Sequence, residues 1–168
     1  MKKEVVFDSS TAILLAKIHL LSMVAKKFRA IFPETVRDET TQKKDNFDSK
    51  LVIKLIAGNK IKVVKTKQSK VGKLIKDFNI EKGEAEALVL AKDKKCILAT
   101  DDGPSIKACK ILDIKFTTAI HFLVRFYEKG LLDRNIALEK LKTLEKYGRY
   151  DYDIIKDAKN KIESSVKA

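Results

Sequence analysis

Apolar residues follow two rhythms along this chain. Short unbroken runs alternate with longer stretches in which apolar positions recur every three or four residues. The short runs predict strands at Glu4–Phe7, Phe28–Phe32, Ile61–Val64, Lys95–Ala99 and Ile114–Thr117. Between them the helical rhythm predicts Thr11–Ala25, with a break near His19 to Ser22, then Glu34–Glu39, Asp48–Ala57, Ser69–Phe78, a helix opened by Gly83–Ala91, and another begun by Pro104. Pro33 is placed as a first-turn proline, and Thr40–Phe47, which is polar, as a loop. After residue 117 the rhythm is helical throughout: Thr118–Lys129, Arg134–Tyr147 and Asp151–Ile162, with stops at Gly130 and Gly148. Strands alternating with helices predict an α/β fold, a three-layer α/β/α sandwich on a parallel sheet of about five strands, closed by a helical C-terminal tail. Neither an internal repeat nor a linker divides the 168 residues, so a single domain over 1–168 is expected.

Charge then narrows the function. The formal net charge is +13, which favours an anionic partner, nucleic acid before others; selection for solubility is the competing explanation. Seven lysines and no acid lie between Lys60 and Lys76. Lys65, Lys67, Lys70 and Lys73 of this stretch are candidates for holding a phosphate backbone, against the ordinary alternative of a solvated face. Cys96 and Cys109 have no zinc-type spacing and read as reduced core thiols. The first apolar run is interrupted by Asp8, and the 11–25 run carries Lys17 and His19. Neither resembles a membrane span or a signal core, and the expected location is the cytoplasm.

Acids close several of the predicted elements. Asp8 ends the first strand, Asp38-Glu39 follow the second, Glu84 and Glu86 open a helix, and Asp101-Asp102 end the fourth. Parallel strands with right-handed crossovers bring all these ends to one edge of the sheet, where ligands of open α/β sheets bind. Clustered carboxylates suit a hard cation such as Mg²⁺ or Mn²⁺, which can activate water against a phosphate. Each acid also has a local reading. Asp8 can cap a helix, Glu84 can complement a helix dipole, Glu39 can be an exposed helix residue, and Asp101-Asp102 can make a turn with Gly103. Glu84 and Glu86 stand about 200° apart on a helix; Glu84 falls on the side of Leu88 and Ala91, Glu86 on the side of Asp93. Glu84 is therefore the expected inward acid and Glu86 the second choice. His19 and His121 sit in apolar helical runs and read as packing residues.

The succession Val5-Val6-Phe7-Asp8-Ser9-Ser10, Pro33-Glu34-Thr35-Val36-Arg37-Asp38-Glu39, Gly83-Glu84-Ala85-Glu86-Ala87 and Ala99-Thr100-Asp101-Asp102 resembles the PIN domain family over residues 4 to 125. Gly148-Arg149-Tyr150 and the last helix are similar to the tail of its compact archaeal members. The resemblance implies a metal-dependent nuclease, in many members an endoribonuclease, in some the VapC-type toxin of a toxin–antitoxin pair. It implies one or two Mg²⁺ or Mn²⁺ ions, an RNA substrate, an antitoxin partner for the toxin members, and a homodimer. The family's acids fall on Asp8, Glu39, Glu84 and Asp102, with Asp101 as an added ligand, and Thr100 and Ser10 orient the carboxylates. Two other functions fit the same residues: a nucleic-acid-binding module without catalysis, and an interaction protein whose acidic edge accepts a partner's arginine.

Overall fold

The computed structural model describes residues 2–164. Five strands, β1 (Glu4–Phe7), β2 (Arg29–Pro33), β3 (Ile61–Val64), β4 (Ile97–Ala99) and β5 (Phe116–Thr117), form one sheet in the order β3-β2-β1-β4-β5. Every pairing is parallel. Alternate residues of each strand serve opposite faces. Val5, Phe7, Phe32 and Ala99 point into one core, and Val6, Ile31 and Leu98 into the other. The predicted three-layer sandwich is therefore present.

The larger core is covered by α1 (Ser9–Lys17), α2 (Leu21–Lys27), α4 (Phe47–Ala57) and the tail helices α8 (Ala119–Glu128), α9 (Arg134–Tyr147) and α10 (Tyr152–Ser164), with Val36 of α3 (Glu34–Thr41) at its margin. The smaller core lies under α5 (Val71–Phe78), α6 (Lys82–Lys94) and α7 (Gly103–Leu112). Phe122 joins tail and sheet, stacking on Phe7 at 6.1 Å between ring centres.

The expected break in the first helix falls at Ile18–Leu20, where His19 takes a left-handed backbone at φ 57°. Among the described residues no single helix is long and apolar enough to cross a membrane. α1 and α2 would suffice together, but they meet at 116° and line the core. Several expected boundaries shift, three of them at residues that bear on the caps. Thr40 and Thr41 continue α3, their hydroxyls bonded back to the carbonyls of Val36 and Arg37 instead of capping the helix. Lys95 belongs to the cap of α6, at φ 53°, so β4 starts only at Ile97. Pro33 closes β2 and caps α3, one residue before the first turn.

Candidate active site

All carboxyl ends of a parallel sheet lie on one edge. Strand order reverses between β1 and β4, and the crevice at such a reversal is the usual ligand site of an open α/β sheet. Asp8 follows β1 there, and Thr100, Asp101 and Asp102 follow β4; the amide of Asp8 bonds the carbonyl of Ala99 at 3.0 Å.

Asp8 is 1% exposed. Its Oδ1 accepts the amide of Thr11 at 3.1 Å, which caps α1, and the hydroxyl of Ser10 at 2.7 Å; its Oδ2 accepts the hydroxyl of Thr100. The cap and the site acid are thus the same carboxylate. Burial raises its pKa to about 6, the Asp101 charge adds to this, and the donors Thr100, Ser10 and Thr11 oppose it.

Asp102 caps α7 by accepting the amide of Ser105 at 3.0 Å, and its own amide donates to Thr100 Oγ1 at 3.2 Å. Glu84 closes a capping box at the start of α6 and accepts the Ser105 hydroxyl at 3.3 Å. Burial lifts its pKa to about 8. The neighbouring Asp102, through its charge and a carboxyl–carboxyl hydrogen bond, contributes next, and Asp8 contributes least. Ser105 is thus bonded to both acids, through its amide and its hydroxyl. Neither its role nor that of Ser9 below was apparent in the sequence, where a serine after a strand or in a first turn is commonplace.

Glu39 stands apart from this group. Ser9 Oγ donates to its Oε1 at 2.8 Å. Burial raises its pKa, and the acids that reinforce the shift are Glu81, Glu86 and Asp38 rather than Asp8. Glu39 also packs on the backbone of α6: a β-carbon added to Gly83 would lie 2.1 Å from its Oε1. The expected group of four therefore resolves into Asp8, Glu84 and Asp102, with Glu39 beside them.

Two expectations are corrected. Glu86 is not a solvated residue facing Asp93. It is 3% exposed, accepting the Thr35 amide at 3.3 Å and Gln68 Nε2 at 2.8 Å. The helical-wheel argument supposes one covered face, whereas α6 is buried around its circumference from Ala85 to Ala91. Asp101 is not a free carboxylate either. Its oxygens accept the Thr11 hydroxyl at 2.5 Å, the Ala119 amide at 3.1 Å and the Tyr150 hydroxyl. Asp101 thereby fastens β4 to α1, α8 and the tail.

The lysines also divide. Lys65 and Lys67 are exposed in the segment that leaves β3 at this same edge. Lys70 instead lies 3.8 Å from Asp93 in the last turn of α6, and Lys73 shares with it a groove whose lining includes none of Asp8, Glu39, Glu84 and Asp102. Partial burial, with the Arg125 charge next, lowers the pKa of His121; it has no part in the acid cluster.

Among the described residues no three acid, histidine or cysteine side chains are arranged to hold a metal ion by themselves. The donors nevertheless fit a hard divalent cation in their chemistry. They are all oxygens, and burial, reinforced by the Asp102 charge beside it, lets Glu84 retain a proton near neutrality.

A family model for the PIN domain, DUF3368, matches residues 4–164. No curated protein matches the chain. Among solved structures it is similar to a domain of a functionally unknown protein from Methanocaldococcus jannaschii DSM 2661. Identity is 22%, the match covers 69% of this chain and 90% of that one, and the TM-score is 0.43. With nearly its whole length matched, the chain belongs to the PIN domain family, whose members are generally nucleases that use divalent metals.

Proposed function

We propose that the protein is an endoribonuclease that hydrolyses RNA phosphodiester bonds at the carboxyl edge of its sheet. The observation that carries this reading is the juxtaposition of Asp8, Glu84 and Asp102, two of them with raised pKa values and no lysine or arginine among the causes of either shift. Asp8, Glu84 and Asp102, with Glu39 at the margin, would hold one or two Mg²⁺ or Mn²⁺ ions. When bound, such an ion lowers the pKa of water and offsets charge on a phosphate. Thr100 fixes the rotamer of Asp8 from one side and Ser10 from the other, so Asp8 does not depend on the ligand for its orientation. Ser105 and Ser9 do the same for Glu84 and Glu39. Lys65 and Lys67, exposed at this edge, would draw the RNA backbone towards the acids.

The direct test is cleavage of a labelled RNA by the purified chain with Mn²⁺ or Mg²⁺, with EDTA, and with the Asp102→Asn variant. Cleavage in the first case and none in the other two is expected. RNA cleavage that survives EDTA, or that Asp102→Asn retains in full, would remove the proposal.

Glu39 can be probed without altering it. Gly83→Ala places a methyl group against the Glu39 carboxylate, and the flexible end of Glu39 is what yields. Alanine is the better helix former by up to about 1 kcal/mol, so the melting temperature should hold or rise. Displacing Glu39 from Ser9 should lower cleavage roughly tenfold, the lower end of what disturbed ligand positioning costs. Unchanged cleavage would place Glu39 outside the site.

A further inference from the structure

The opposite edge of the sheet has a different character. Parallel order gathers cations from the starts of the five strands on one edge: Lys60 before β3, Arg29 opening β2, Lys3 before β1, Lys95 two residues before β4 and Lys115 before β5. A backbone bond links two neighbours in this row, from Arg29 N–H to the carbonyl of Lys3 at 2.8 Å, and the carbonyl of Lys115 accepts from Leu98 N–H of β4 at 2.9 Å. All five side chains are exposed, and among the described residues none of them forms an ion pair. Lys94, beside them, is the paired one, with Glu4 at 3.5 Å.

Two clefts of about 650 and 660 Å³ meet at Lys3 on this edge. One adds Lys92 to the row, and the other adds Lys27 and Lys129 with no acid in its lining. Lysines in the last turns of α2 and α6 complement helix C-termini. That accounts for Lys27 and Lys94. It does not account for Lys3, Arg29 or Lys115, which belong to strand starts.

We propose that this amino edge is a second nucleic-acid surface, one that holds the phosphate backbone of a double helix away from the acidic edge. Four interstrand steps of roughly 4.8 Å give the row a length of about 19 Å. Over that length a duplex presents about eleven phosphate charges, one per 1.7 Å of axis. Single-strand binders interleave such cations with successive exposed aromatics, whereas among the described residues this edge offers Phe116, 36% exposed, beside Lys115, and a half-buried Phe28 in one cleft. An anionic membrane is the less suitable partner, because surface insertion needs an apolar face flanking the cations and this row is grooved, with Glu4 and Asp113 in its lining. The proposal does not rest on the catalytic reading, since binding requires neither metal nor cleavage.

The test is fluorescence anisotropy in EDTA over a range of salt, on a 20-base-pair RNA duplex and the matching DNA duplex. The wild-type chain is compared with a variant combining Lys3→Gln, Arg29→Gln, Lys95→Asn and Lys115→Gln. Asparagine is used at 95 because it tolerates the left-handed backbone there. Affinity should fall at least tenfold near physiological salt, and the slope of log K against log salt should drop by about 0.9 for each phosphate no longer neutralised. Loss on both duplexes, or on RNA alone, supports the proposal, the second outcome assigning the surface to RNA. Unchanged affinity and slope on both would overturn it. So would a variant that keeps its duplex affinity but no longer binds phosphatidylserine vesicles. Because no step depends on catalysis, duplex binding in EDTA by a chain that fails to cleave RNA with Mn²⁺ or Mg²⁺ would fault the nuclease reading and leave this one standing.

Discussion

Asp8→Asn should abolish RNA cleavage, by a hundredfold or more, and at the same time make the metal-free protein more stable. The two effects have one cause. Asparagine caps a helix about as well as aspartate, so its side-chain oxygen can still accept from Thr11 and Ser10, and Thr100 can turn from donor to acceptor. What disappears is a charge buried to 1% exposure. Its pKa of about 6, against an ordinary 3.8, means that the folded state binds the proton more tightly than the unfolded chain. The stabilising contribution of that proton is complete below pH 3.8 and is lost as pH rises through 6. That difference of about 2.2 in pKa, at 1.36 kcal/mol per pH unit, sets the penalty at about 3 kcal/mol at neutral pH. Melting curves in EDTA should therefore show the wild-type chain gaining stability from pH 7.5 down to pH 5, with the variant gaining less and starting higher. Added Mg²⁺ or Mn²⁺ should raise the wild-type melting temperature more than that of the variant. A variant that is destabilised and still cleaves RNA would reduce Asp8 to its capping role.

That double role shows how much of the molecule could be read from the chain. The strands were legible because central parallel strands are buried on both faces and appear as unbroken apolar runs, as Val5-Val6-Phe7 does. Asp8 and Asp102 were legible because the first directly follows β1 and the second closes the short turn after β4, and topology alone brings strand ends together. Glu86 was misread because a two-sided wheel cannot describe a helix enclosed by the sheet, α3, α5 and the segment around Gln68. Asp101 was misread because its partners come from positions 11, 119 and 150, and only the folded chain gathers them. The basic edge was missed for the same reason. Charge was sought in consecutive sequence, where 60–76 stands out, while the residues at 3, 29, 60, 95 and 115 become neighbours only through strand order.

Asp101 and Asp102 are adjacent acids, and their substitution should have opposite consequences. Asp101→Ala should destabilise the fold by about 3 kcal/mol and leave the surviving folded protein active. Removing this carboxylate strands the hydroxyl of Thr11, which is fully buried, the amide of Ala119, also fully buried, and the hydroxyl of Tyr150. A buried donor left without an acceptor costs roughly 1–3 kcal/mol. Relief of Asp101's own desolvation, which raises its pKa, offsets part of the loss. At roughly 2–4 °C per kcal/mol for a chain of this size, the melting temperature should fall by about 6–12 °C. Tyr150→Phe removes one of the ties and should produce about a third of that drop. Asp102→Asn keeps the cap on α7 and should leave the melting temperature nearly unchanged while cleavage disappears. Activity of Asp101→Ala measured well below its midpoint separates the assignments. If it is as inactive there as Asp102→Asn, Asp101 belongs with the chemistry, and the three ties it makes are secondary to that role.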